Sequence, residues 1–166
     1  MKIKNIVVVI IILGVISALA LISKQLGKEV LATEQLISLP NINVTQMDSS
    51  YTTLSSLSDG SPLLLVLVNS ECAICHGQVE ELYKRGHKLE GIDIILLSHQ
   101  ELGDIQEFAN AYPDAPFVFG QVDLDILSES FGKFSTPHLF LYDKGHQLIK
   151  ELKGVNRVVH LKKHFE

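Results

Sequence analysis

Hydrophobic and polar positions along this chain fall into three regimes. From Ile6 to Ile22 (IVVVIIILGVISALALI) there is no charge, after an opening Met-Lys-Ile-Lys-Asn. That length is at the lower end of what crosses a bilayer, so residues 1–22 are predicted to form a transmembrane or signal helix. Residues 23–38 mix polar and apolar types and read as a juxtamembrane stalk. Over residues 39–166 short apolar runs alternate with amphipathic stretches, the pattern of a folded domain.

Within that domain Leu39–Val44 alternates as the start of a strand, and Tyr51–Leu54 is a second β-favouring piece. Turn residues Ser58–Pro62 precede Leu63–Val68 (LLLVLV), an apolar run suited to a central strand covered on both faces. Cys75, Val79, Leu82, Tyr83 and Gly86 then share one helical stripe, with Glu80/Lys84 and Glu81/Arg85 at i,i+4 on the outer face. Ile92–Leu97 reads as another buried strand. Leu102, Ile105, Phe108, Ala109 and Tyr112 mark a second helix, stopped by Pro113. Phe117–Phe119 is a short strand, and Leu124, Leu127 and Phe131 mark a short helix. Leu139–Tyr142 and Gln147–Lys150 flank Asp143-Lys144-Gly145 as a hairpin. A last helix is expected from an N-cap near Asn156 to Phe165. This order predicts an α/β fold, a largely parallel sheet with antiparallel edge strands and flanking helices.

The apolar start also sets the compartment. Lys2 and Lys4 precede it and every acid follows it, which places the start in the cytoplasm and the domain outside. The expected location is the inner or plasma membrane, single-pass, with the domain on the periplasmic or extracytoplasmic side. Ala18-Leu19-Ala20 fits a signal-peptidase site, but the apolar run continues through Leu21 and Ile22, which favours a retained anchor. The chain has 166 residues, 46% of them apolar, so one core-bearing domain is expected. A net charge of -5 and a pI near 5.8 argue against nucleic-acid binding. Two cysteines are too few for a disulfide scaffold.

Their spacing carries chemistry instead. Cys72-Ala73-Ile74-Cys75 lies between a buried strand and the first turn of a helix. Unpaired N–H groups and the positive end of the helix dipole stabilise a thiolate there, and the thiolate is the species that attacks disulfides. Cys75, one turn on, is close enough to resolve a mixed disulfide formed at Cys72.

With these residues the chain resembles the thioredoxin superfamily, in particular the membrane-tethered, exported thiol:disulfide oxidoreductases of the redoxin or cytochrome c maturation type. The resemblance covers about Leu39 to Phe165. It rests on LLLVLVNS before the motif, the CxxC pair, and Phe134-Ser135-Thr136-Pro137-His138-Leu139-Phe140-Leu141-Tyr142-Asp143 after it. It implies a thioredoxin-like fold and a cis bond before Pro137, which lies against the CxxC. It further implies that Thr136 and Pro137 form the substrate-binding platform, with Cys72 and Cys75 catalytic. The implied partners are protein dithiol or disulfide substrates and a protein that regenerates the pair, with no cofactor and no metal. Two departures bear on the redox character. Glu71 stands where the family usually has an aromatic residue, and Val66 where many members carry a buried acid. A carboxylate at Glu71 disfavours the Cys72 thiolate, and Ala73-Ile74 adds no charge. The expectation is therefore an enzyme that reduces rather than strongly oxidises, with Glu71, His76 and His138 as possible modulators.

Other readings of the same residues stay open. CAICH also reads as C-x-x-C-H, the attachment motif of c-type haem. A zinc site would have Cys72, Cys75 and His76 but lacks a motif that completes it. A peroxidase-type redoxin would need a Pro and a Thr or Ser framing a single cysteine upstream, and Val68-Asn69-Ser70-Glu71 does not provide that. In the non-enzymatic reading, the pair is a static staple in a membrane-tethered binding module.

Overall fold

The computed structural model describes residues 13–17, 38–58 and 60–166. Residues 13–17 are helical and exposed; the rest of the segment expected to be an anchor at 1–22, and the expected stalk up to residue 37, lie outside the described residues. Among the described residues no helix is long and apolar enough to cross a membrane. Two units divide the chain, Met1–Glu34 and Gln35–Glu166.

Among the described residues the second unit carries seven strands: β1 (Asn43–Gln46), β2 (Tyr51–Thr53), β3 (Leu63–Leu67), β4 (Asp93–Ser98), β5 (Val118–Gln121), β6 (His138–Tyr142) and β7 (Leu148–Lys153). They form one sheet in the order β2-β1-β5-β4-β3-β6-β7. Strands β3, β4 and β5 are parallel neighbours; β6 and β7 add antiparallel to β3, and the β1–β2 pair adds antiparallel to β5. The sheet is therefore mixed rather than largely parallel: two of its six strand pairings are parallel and four antiparallel, because β1–β2 and β6–β7 both join the parallel core antiparallel. Four helices flank it: α1 (Ala73–Arg85), α2 (Leu102–Asn110), α3 (Leu124–Phe131) and α4 (Val158–Lys162).

The position of β3 follows from its sequence. Every residue of LLLVL is buried, which only a strand covered on both faces can satisfy. Leu64 and Val66 join Cys75, Val79 and Leu82 of α1, Ile105 and Phe108 of α2, and Val158 and Leu161 of α4. On the other face Leu63, Leu65 and Leu67 join Leu127 and Phe131 of α3 with Phe140 and Tyr142. Each such side chain contributes about 1.5–3 kcal/mol through burial. At the β1–β5 contact the Val44 side chain fills the space over Gly120, where a Cβ would sit 2.3 Å from Val44 Cγ1, so only glycine fits.

Three boundaries differ from the sequence reading. Pro40 turns the chain, with Ile42 N–H donating to its carbonyl, so β1 begins at Asn43 rather than near Leu39. Strand β7 runs to Lys153, because β6 offers it a partner along its whole length. The last helix spans only Val158–Lys162 and is capped by Arg157. Asn156 is not its cap, since its backbone N–H and C=O are both taken by the Gln78 side chain.

Candidate active site

Strand β3 delivers the chain to the sheet's upper edge, and the loop from Asn69 to Glu71 turns it into α1. That loop is built from local hydrogen bonds. Ser70 N–H donates to Gln100 Oε1 at 2.6 Å, and Gln100 Nε2 donates back to Ser70 Oγ at 2.8 Å. Gln121 Nε2 in turn holds the Gln100 carbonyl at 3.1 Å, which ties the loop to the ends of β4 and β5. Asn69 accepts from Glu71 N–H with its side chain and from Cys72 N–H with its carbonyl.

Cys72 is the N-cap residue of α1, partly exposed, and its Sγ accepts from Cys75 N–H at 3.4 Å. Burial pushes its thiol upward, but hydrogen bonds outweigh this. They come from the Cys75 side chain and N–H, the Thr136 side chain and the Ile74 N–H, and the thiol lies below the ordinary cysteine range. Cys75 faces the core, fully buried, and burial pushes its thiol up to about 11. Two sulfurs one turn apart thus have opposite character: one accessible and poised to ionise, the other shielded and protonated at neutral pH.

The second motif meets the first here. The Thr136–Pro137 peptide bond is cis, and Cys72 Sγ–H points to the Thr136 carbonyl oxygen at 3.7 Å. Pro137 is buried and its carbonyl accepts from Gly154 N–H at 2.9 Å, which fixes the loop to the end of β7.

The remaining sequence candidates occupy distinct places. Glu71 is exposed, and its carboxylate is not among the groups acting on Cys72. The donors that bring the Cys72 thiol down are the Cys75 side chain and N–H, the Thr136 hydroxyl and the Ile74 N–H. His76 turns away from the sulfurs: its Nε2 meets the Ser70 carbonyl at 2.6 Å and its ring packs edge-on against Phe108 at 4.7 Å. His138 does not face the cysteines. Strand alternation puts it on the opposite face of the sheet, against Phe140, with Nε2 2.7 Å from Glu151 Oε1. Val66 is buried on the Cys75 face. Beside the motif an open groove of about 330 Å³ is walled by Ser70, Glu71, His76, Asp104, Glu107 and Phe108.

Two contributors went unnoticed in the sequence. Gln78, fully buried, is polar on the apolar stripe of α1, one turn past Cys75, and clasps the backbone of Asn156 from both sides. Gln100, the second residue past β4, is the brace of the motif loop. The signal for Gln78 was its place among Cys75, Val79 and Leu82; Gln100 had none beyond a polar residue at a strand end.

The haem reading does not fit this geometry. Thioether attachment requires Cys75 at the surface and a free His76 ring nitrogen, whereas Cys75 is fully buried and His76 Nε2 is engaged. Among the described residues no three His, Cys, Asp or Glu side chains converge as a metal site would require.

Solved structures share this architecture. M. tuberculosis dsbF, in mixed oxidised and reduced forms, aligns with a TM-score of 0.65 at 17% identity, over 78% of this chain and 94% of that one. The fold is thioredoxin-like. A secreted M. tuberculosis disulfide oxidoreductase homologous to E. coli DsbE aligns at 0.64 and 14% identity, over 79% and 96% of the two chains. A thioredoxin-like protein from Aeropyrum pernix aligns at 0.62 and 16%, over 87% and 97%. No family model and no curated protein matches the chain. The thioredoxin-like domain thus resembles DsbE- and DsbF-type thiol:disulfide oxidoreductases and carries a close Cys72–Cys75 pair, an arrangement consistent with thiol–disulfide exchange.

Proposed function

We propose that this protein is a thiol:disulfide oxidoreductase that exchanges with cysteines of extracytoplasmic proteins, held at the membrane by its N-terminal segment. The observation that carries the reading is the pairing of an accessible, acidified Cys72 with a buried, protonated Cys75 beneath the Thr136–Pro137 loop. The Cys72 thiolate attacks one sulfur of a substrate disulfide, forms the mixed disulfide and expels the other substrate sulfur as a thiolate. Cys75 then gives up its proton and attacks Cys72 Sγ. The substrate leaves as a dithiol, two electrons have passed to it, and Cys72–Cys75 is oxidised. A second dithiol protein returns the pair to its reduced form. Thr136 and Pro137 shape the platform on which the substrate backbone rests.

The direction we propose is reducing. Among the described residues the groups that lower the Cys72 thiol are neutral hydrogen-bond donors, which stabilise its thiolate less than a cation would. A secreted oxidoreductase among the structural neighbours supports the placement outside the cytoplasm.

The test is a trapping experiment. Cys75→Ser should accumulate mixed disulfides with partner proteins in cells, released by reductant and lost in the Cys72→Ser/Cys75→Ser double variant. Folded Cys75→Ser protein without adducts would overturn the reading. The reduction potential should fall below about −180 mV, and a value near −120 mV would reverse the assigned direction.

A further inference from the structure

The chain is acidic overall, yet its cations are unevenly placed. Between the C-terminal half of α1, the 3₁₀ turn Gly86–Leu89 and α4 lies a cavity of about 540 Å³, lined by Glu81, Arg85, Lys88, Arg157 and Val159. Its one carboxylate is already used: Glu81 pairs with Arg85 and accepts from Val158 N–H at 3.1 Å. Among the described residues Lys88 and Arg157 enter no ion pair, and both are exposed. Lys162 and Lys163 extend the same charge along α4, exposed. Glu90 and Glu166 are the exposed acids nearest in sequence.

The place of this basic surface in the domain is informative. Helix α1 starts at the cysteines and spans 13 residues, so its far end is about 20 Å away. At that same far end the preceding polypeptide joins the domain. Ser38 bridges Gln147, and Leu39 N–H donates to the His146 carbonyl, beside the start of β3 where Leu63 pairs with Tyr142. Phe165, just past Lys162 and Lys163, shares a cleft with Pro62 and Gly145 at this pole. The described chain therefore enters the domain at the pole that carries the cations, and the uncharged run from Ile6 to Ile22 lies upstream of that entry in the sequence.

The geometry points to a docking surface for anionic phospholipid, with Arg85, Lys88 and Arg157 receiving phosphodiester headgroups. A cluster of cations near an anionic bilayer is attracted within a Debye length of it. Seating this pole on the membrane turns the opposite pole, with Cys72 and the Thr136–Pro137 loop, outward toward soluble partners. The inference extends the membrane placement proposed above, but it does not depend on thiol exchange.

Amine acylation of the full chain reconstituted into vesicles tests it. Lys88 should react at least fivefold more slowly in phosphatidylcholine vesicles containing phosphatidylglycerol than in pure phosphatidylcholine. Exposed Lys133 at the catalytic pole should react equally in both. Salt at about 1 M, where the Debye length is about 3 Å, should restore the Lys88 rate. The Arg85→Ser/Arg157→Ser variant should lose most of the difference. Equal Lys88 rates in the two vesicle types would overturn the proposal. So would equal protection by millimolar inorganic phosphate in neutral vesicles, which would make the cavity a small-anion site. Cys72→Ser should behave as the unaltered chain does, so a failure here leaves the exchange reading standing.

Discussion

Among side chains no more than 1% exposed, the polar ones are Cys75 and Gln78 on the α1 face of the sheet, and His138 and Tyr142 on the α3 face. The first pair is fully engaged. Gln78 satisfies the Asn156 backbone, and Cys75 shares its environment with Cys72 and Thr136. In the second pair, His138 Nδ1 and the Tyr142 hydroxyl have no hydrogen-bond partner among the described residues. A buried polar group without a partner costs stability, whereas a satisfied one fixes geometry. The two faces therefore divide the work: one positions the sulfurs, and the other supplies bulk that keeps the sheet in place.

The largest effect should come from breaking that bulk. Phe140 is fully buried and packs on Phe131 and His138 at centroid distances of 4.9 and 4.4 Å. Phe140→Ala should cost about 3–5 kcal/mol in urea unfolding. The pH midpoint of Cys72 alkylation should stay where it is, because both sulfurs pack with the α1-face cluster and Phe140 with the other. A moved midpoint would show that the faces are coupled. Next in size is Gln78→Leu, which leaves Asn156 N–H and C=O without their partner at a cost of about 1–3 kcal/mol. This variant should also loosen the start of α4, seen as faster amide exchange at Val158, whereas Phe140→Ala should not single out that amide.

How much of this was legible in the sequence depends on the same division. The strand LLLVL, the CxxC at a helix start and the Thr136–Pro137 loop are local patterns, and each has one physical solution. The side on which His138 stands was not legible. It depends on the register of β6 against β3, where His138 pairs with Leu67, and no local pattern fixes a two-fold alternation beside a cis proline. Asn156 read as a helix cap because Asn favours that place. Gln78, 78 positions away in sequence, claimed its backbone instead. The acidity of Cys72 likewise depends on distant residues. Glu71 is adjacent in sequence, yet the groups that matter come from the helix start and from Thr136, 64 positions on.

Three further variants sharpen the contrast by pH. Burial lowers the His138 pKa, against the opposing pull of Glu151. The unfolded chain thus binds a proton more readily than the folded one. Stability contributed by the neutral ring is complete above the ordinary value of 6.5 and declines as pH falls below it. The urea midpoint should accordingly drop between about pH 6.5 and pH 5, and His138→Gln should flatten that drop. An equal slope in both proteins would assign it to other groups. Thr136→Val acts on the other face and by another route. Removing a hydroxyl that lowers the Cys72 thiol should raise the alkylation midpoint by a fraction of a unit, with a stability change within about 1 kcal/mol. Glu71→Gln should leave the midpoint in place.

The smallest effect is the most direct test of the α3 face. Tyr142 is fully buried, burial raises its phenol pKa strongly, and its hydroxyl lacks a partner among the described residues. Tyr142→Phe keeps the ring and the packing against Leu63 and Leu65 while removing the one atom whose hydration was lost on folding. If that oxygen is a burden, the phenylalanine variant should be as stable as the native protein or gain up to about 1 kcal/mol in urea unfolding. A loss of more than about 1 kcal/mol would mean that the hydroxyl is held by a bond, and that the α3 face is built from satisfied polar groups just as the α1 face is.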